Sequence, residues 1–156
     1  MHFKTKIWGA AVVGALGLAT GLGVTLASAG APAAKILPLV SKQTSFQEVD
    51  VGKVGPSAGD LVIFTDDFTL KNGRKQGTDV VVCTATSTTF SQCQATAFLP
   101  SGSIMSQGAT PSPPPAKFQV SILGGTGAYK GTCGQYTVQA VSQTVSNETF
   151  ELLPCR

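Results

Sequence analysis

The sequence predicts an all-β protein, an eight-stranded antiparallel β-barrel, and three observations carry that expectation. Apolar and polar residues alternate with period two through most of the chain after Leu37, as in Phe118-Gln119-Val120-Ser121-Ile122-Leu123. Turn formers such as Asn72-Gly73 and Pro100-Ser101-Gly102 separate these runs, and no segment has the periodicity of an amphipathic helix. Gly124 to Tyr136 holds five glycines in thirteen residues between two strand-like runs, so it reads as a strand–loop–strand corner.

The corner is glycine-rich like a phosphate-binding loop but lacks the residues of one. The dinucleotide fingerprint G-x-G-x-x-G puts a third glycine where Lys130 stands, and a P-loop needs Ser or Thr after its lysine, where Gly131 stands. Both motifs open a helix whose N-terminus helps to hold the phosphate, whereas here the chain re-enters a strand.

In chain order, Met1 to Lys6 is a short basic start, and Ile7 to Ala27 carries no charge. Ala27-Ser28-Ala29 has the small-x-small pattern of a signal-peptidase site, which predicts a signal peptide over 1–29 and a secreted protein, with no stable membrane insertion after cleavage. Loss of this segment removes Lys4 and Lys6 and lowers the formal charge from +3 to +1. No basic stripe remains, so nucleic acid is not an expected partner. The only histidine, His2, leaves as well, which excludes Ser-His-Asp and Cys-His catalysis and the commonest zinc ligand. No metal and no cofactor is expected. Residues 30–36 form a spacer of small residues, and 37–156 form the barrel domain, long enough for one modest core.

The first clear strand is Ser45 to Val51, with Phe46, Glu48 and Asp50 on one face. A loop with Pro56 leads to Leu61–Leu70, where Val62, Phe64, Asp66 and Phe68 share a face. Asn72-Gly73 turns the chain into Gln76–Thr86, followed by Ser91–Leu99 and Ser103–Ala109. Thr110 to Pro115 contains four prolines and cannot be a central strand. Strands at 117–123, 134–142 and 146–153 complete eight, which fits a closed barrel, with a sandwich as the alternative.

The cysteines locate the pairing. Cys83 and Cys93 lie symmetrically about a turn near Thr88, and Cys133 and Cys155 about Thr144, so each pair falls across a hairpin close enough to bridge. An exported protein meets an oxidising compartment, so both pairs are expected as structural disulfides. The same registers put Cys83 and Cys93 on the inner face with Val81, Ala95 and Ala97. Cys133 and Cys155 share parity with Gln135 and Glu151, outside. Tyr136, Val138, Phe150 and Leu152 face inward.

Parity also carries Glu48, Asp50 and Asp66 inward, if Phe46 and Phe64 point into the lumen. Gathered carboxylates repel one another and resist desolvation, so at least one would hold its proton and act as an acid. These three are the candidate catalytic residues, with Glu48 the principal one. Phe46, Phe64, Val81, Ala95 and Tyr136 are the candidate ligand-binding residues, and Tyr129 is read as a packing or mouth residue.

The corner Gly-Gly-Thr-Gly-x-Tyr-x-Gly-x-x-Gly, together with Gly59-Asp60-Leu61-Val62-Ile63-Phe64-Thr65, resembles the allene oxide cyclase and dirigent-like barrels, in a secreted, bacterial-type member. The resemblance spans about Leu37 to Leu153 and implies a calycin-like barrel with a mostly apolar lumen. It places Glu48 and Asp50 where the cyclases carry a Glu and an Asn on the first strand. It sets Pro56, Asp66 and Cys83 at a loop proline, a second-strand Asn and an interior cysteine. The function it implies is that of a cofactor-independent cyclase, isomerase or stereochemistry-directing barrel acting on a small apolar molecule. The alternative is a non-catalytic carrier of such a molecule, and homo-oligomerisation is left open.

Overall fold

The computed structural model describes residues 33 to 155; the signal peptide expected over 1–29 lies outside them. Eight strands follow in order: β1 (Lys35–Val49), β2 (Leu61–Thr69), β3 (Lys75–Ala85), β4 (Phe90–Leu99), β5 (Gly102–Pro111), β6 (Lys117–Gly125), β7 (Thr132–Ala140) and β8 (Val145–Pro154). Each pairs antiparallel with its sequence neighbours, and β8 returns to β1, closing an up-and-down barrel. Closure leaves no free sheet edge. Among the described residues the one helical element is a single 3-10 turn, Gly127–Tyr129, inside the glycine-rich corner. None is a helix long and apolar enough to cross a membrane.

The two ends of the barrel differ. At one end Leu39, Phe68, Leu99, Ile104, Ile122, Phe150 and Leu152 pack into a core, with Phe68 at 0% exposure. The Phe68 ring meets the Phe150 ring edge-on at 5.9 Å, and Phe150 stacks on Tyr136 at 4.4 Å. The glycine corner seals this end. Ala128 donates its N–H to the Ser101 carbonyl at 2.8 Å, and Thr126 donates to that of Ser103 at 2.9 Å. Gly127 makes this docking possible: its φ is +58°, and a Cβ there would lie 2.3 Å from the Ser101 oxygen. Tyr129 is thereby buried in the core, its expected packing role, with Lys35 Nζ 5.5 Å from the ring centre.

Both disulfides join the expected partners. Cys83 and Cys93 lie directly opposite on β3 and β4 with Cα atoms 4.0 Å apart, while Cys133 bridges from β7 to Cys155 beyond β8. β1 departs from the expected strand in two ways. It begins at Lys35, ten residues earlier than the clear alternation, and its pairing with β2 shifts at Thr44, between Gln43 and Ser45. Ahead of the bulge Leu39 and Ser41 are buried; beyond it the strand runs out at the rim.

Candidate functional site

Above the packed end the lumen opens into a cavity of about 240 Å³. Its walls are apolar: Phe64, Val81, the Cys83–Cys93 disulfide, Ala95, Phe118, Val120 and Val138. The small side chain of Ala95 leaves the space, as eight-stranded barrels are close to the size at which side chains alone fill the interior. The mouth is formed by Gln43, Pro114 and the β7–β8 turn, including Ser142 to Thr144.

At the base of this cavity stand three carboxyls. Asp66 on β2 lies directly opposite Asp79 on β3, and Glu148 comes from β8 on the far side of β1. All three are buried, Asp79 and Glu148 at 1% and 3% exposure. The Tyr136 hydroxyl donates to Glu148 Oε2, and the Ser146 hydroxyl donates to Glu148 Oε1 at 2.7 Å. Asp66 Oδ1 and Asp79 Oδ1 have no hydrogen-bond partner within the protein. No lysine or arginine lines the cavity.

Burial therefore favours the protonated forms. Desolvation, then the nearby Glu148 and Asp66 charges, push Asp79 up to about 8. Desolvation lifts Glu148 to about 7 against the opposing hydrogen bonds from Tyr136 and Ser146. Asp66 is raised by desolvation, with the Ser41 hydroxyl acting the other way. Tyr136 is raised well above its ordinary value, first by burial and then by the adjacent carboxyls, so it remains a hydrogen-bond donor. The arrangement can hold, release and accept protons near neutrality inside an apolar chamber.

The structure does not bring the three sequence-expected acids together. Asp66 faces the lumen with Phe64, as parity requires, while its neighbour Asp67 points out and pairs with Lys75 at 2.8 Å. Glu48 and Asp50 are exposed at the rim, where they line a separate, more polar cavity of about 340 Å³ under the β1–β2 loop. Asp50 accepts the Gly55 N–H at 2.9 Å, and Asp60 accepts those of Val51 and Ser57. These carboxylates staple the loop; the Val51 and Ser57 amides hold Asp60 below its ordinary range. Phe64, Val81, Ala95 and Tyr136 line the lumen as expected, whereas Phe46, although paired with Phe64, is 56% exposed and outside it. The physical reason is position along the strand. β8 flanks β1 only as far as Lys42, so beyond the bulge the strand projects past that neighbour and inward parity no longer means burial.

Asp79 and Glu148 are the site residues that sequence reasoning missed. Their signal was parity: Asp79 alternates with Val81 and Cys83, and Glu148 with Ser146, Phe150 and Leu152, each an acid on a mostly apolar face.

No protein-family model matches the chain, and no curated protein matches it. Solved structures do. A pyocyanin demethylase is 30% identical, with a TM-score of 0.67 over 75% of this chain and 99% of that one. The dirigent protein PsPTS1, a pterocarpan synthase, is 14% identical, with a TM-score of 0.63 over 81% of this chain and 98% of its own. An exo-specific intermolecular Diels-Alderase, AbnU, is 12% identical, with a TM-score of 0.62 over 77% and 98%. The last two establish a shared barrel fold. Dirigent-like and cyclase barrels are thus among the structural neighbours.

Proposed function

Because the chain belongs to the family of the pyocyanin demethylase barrel, we propose that it binds an apolar small molecule in its lumen and transforms it by general acid–base chemistry. The observation that carries this reading is the layer of buried carboxyls, Asp66, Asp79 and Glu148, at the base of an apolar cavity. Asp79 is the acid, since burial keeps its proton on at neutral pH. Glu148, held by two hydroxyl donors that favour its charged form, is the base. A proton taken from one ligand atom by Glu148 and one delivered to another by Asp79 shift a double bond or assist a ring closure. No electrons are exchanged with the protein. Asp66 tunes this pair by like-charge repulsion, and Tyr136 orients Glu148. In this reading the role expected of Glu48 passes to Glu148, which sits at the closed end of the lumen rather than at its rim.

The first molecule to test is pyocyanin, on which the 30% identical relative acts according to its name, followed by a screen of planar apolar compounds by thermal shift. A ligand should raise the melting temperature, and Val81→Trp, which fills the lumen, should abolish that rise. For a ligand that is converted, Glu148→Gln and Asp79→Asn should each lower turnover about a hundredfold or more, with affinity within a few fold. Binding untouched by Val81→Trp would sink the lumen as the site. Turnover untouched by both carboxyl variants would sink the acid–base mechanism, and a ligand bound but recovered unchanged would favour the carrier reading.

A further inference from the structure

The connecting loops at the two ends of the barrel differ in chemistry. In an up-and-down barrel alternate connections lie at the same end, so loops 50–60, 86–89, 112–116 and 141–144 surround the mouth. Loops 70–74, 100–101 and 126–131 cover the packed end. The mouth-side loops present Val51, Val54 and Val141 to solvent, with exposed Phe90 where β4 begins. Val54 is 91% exposed and Val141 61%, so neither is held by packing within its own chain. Among the described residues no large apolar side chain is exposed on the loops of the packed end, which carry Lys71, Arg74 and Lys130. Three of the four mouth-side loops have no charged residue at all. In the fourth, Asp50 and Asp60 accept amide N–H groups of their own loop, which leaves Lys53, beside Val54. On the adjoining strands Glu48 and Lys117 carry opposite charges.

We propose that the open end of the barrel docks on a lipid surface, shallowly and reversibly, with Val51, Val54, Phe90 and Val141 in the headgroup layer. Three features of the rim select that occupant. Desolvating a charge is costly, and this end has few charges to desolvate, whereas the packed end has lysines and an arginine. Exposed apolar side chains grouped at one end of a molecule mark a contact surface. These stand on separate loops around an opening, which a fluid headgroup layer can follow; a protein partner needs a continuous face to pack against. The balanced rim charges make apolar contact, not attraction to anionic lipid, the source of binding. If the lumen takes an apolar molecule, as proposed above, docking puts its mouth against the phase in which such molecules concentrate. Docking itself is a property of the rim and does not depend on that reading.

Flotation with phosphatidylcholine vesicles tests this on protein recovered from a secreting host. The protein should float with the vesicles, and raising salt from about 0.1 M to about 1 M should not release it. Val54→Asp combined with Val141→Asp should lower vesicle affinity about tenfold or more, with the melting temperature unchanged because both side chains are exposed. Lys71→Asp, at the packed end, should leave affinity within about twofold. A second readout does not depend on losing contacts. The only native tryptophan, Trp8, lies in the segment expected to be cleaved, so Val54→Trp and Lys71→Trp each report one end. Lipids with brominated chains should quench the first and spare the second. Failure to float, release by salt, floating untouched by the aspartate pair, or equal quenching at both ends would each overturn the proposal. So would a particle mass that rises with protein concentration and is abolished by the aspartate pair without any vesicle binding, since a second copy would then cover the rim. None of these measurements uses a lumen ligand, so their failure leaves the reading of the lumen standing.

Discussion

Asp79 shows how position converts an ordinary side chain into a chemical group. Its neighbours along the strand, Val81 and Cys83, are packing residues, and its partner across β3–β4 is Ala97. Placed among them, the carboxyl keeps its proton to about pH 8. The consequence for stability comes from linkage. The native state holds protons on Asp79 and Glu148 that the unfolded chain releases near the ordinary carboxylate range, so the folded form is favoured at low pH. That advantage is lost as pH rises through the folded values of about 7 for Glu148 and about 8 for Asp79. Thermal melts should therefore show a midpoint that falls between pH 5 and pH 9. Asp79→Asn should flatten the fall and raise the midpoint at pH 9, because a neutral amide has no charge to desolvate. A midpoint that rises across this range would contradict the buried, protonated carboxyl.

At the scale of elements, the bulge in β1 and the glycine corner determine the shape of the chamber. The bulge at Thr44 ends the run of buried residues on β1 at Ser41 and half-buried Gln43 and sends Phe46 and Glu48 to the rim. The corner closes the opposite end, and its glycines are not equivalent. Gly131 has φ +72° with open space around the position of a Cβ, so Gly131→Ala meets backbone strain alone and should cost about 1–2 kcal/mol. Gly127 combines φ +58° with a Cβ position 2.3 Å from a backbone oxygen, so Gly127→Ala must also displace β5 or the corner. Urea midpoints of the two variants should differ clearly, with Gly127→Ala the less stable. Equal effects would mean that the corner is not anchored on Ser101 and Ser103 as the hydrogen bonds indicate.

For the whole molecule, closure between β1 and β8 produces a single wall, and the packed core at one end leaves the other for entry. The two disulfides each staple a hairpin of that wall, and each contributes about 2–4 kcal/mol, less for the shorter Cys83–Cys93 loop. Such bonds fit an oxidising compartment, and the export expected from the N-terminal segment can be checked directly. Expressed in a secreting host, the protein should be recovered outside the cytoplasm with its N-terminus at or near Gly30. Recovery in membranes with an intact Met1 would instead make the segment an anchor.

Alternation, turn residues and hairpin symmetry are local properties, so the barrel, its strand count and both cysteine pairs were legible in the chain alone. The inward faces of β2, β3, β4, β7 and β8 were legible too, which placed Phe64, Asp66, Val81, Ala95 and Tyr136 in the lumen. Which acids meet depended on the assembled barrel. Glu48 and Asp66 share inward parity but differ in height, since the bulge and the end of β1 place Glu48 at the rim. Asp79 and Glu148 are sixty-nine residues apart in sequence and come together with Asp66 because the barrel closes through β1. Parity is carried by the chain one residue at a time; depth in a barrel depends on shear, bulges and closure, and these exist only once all eight strands are paired.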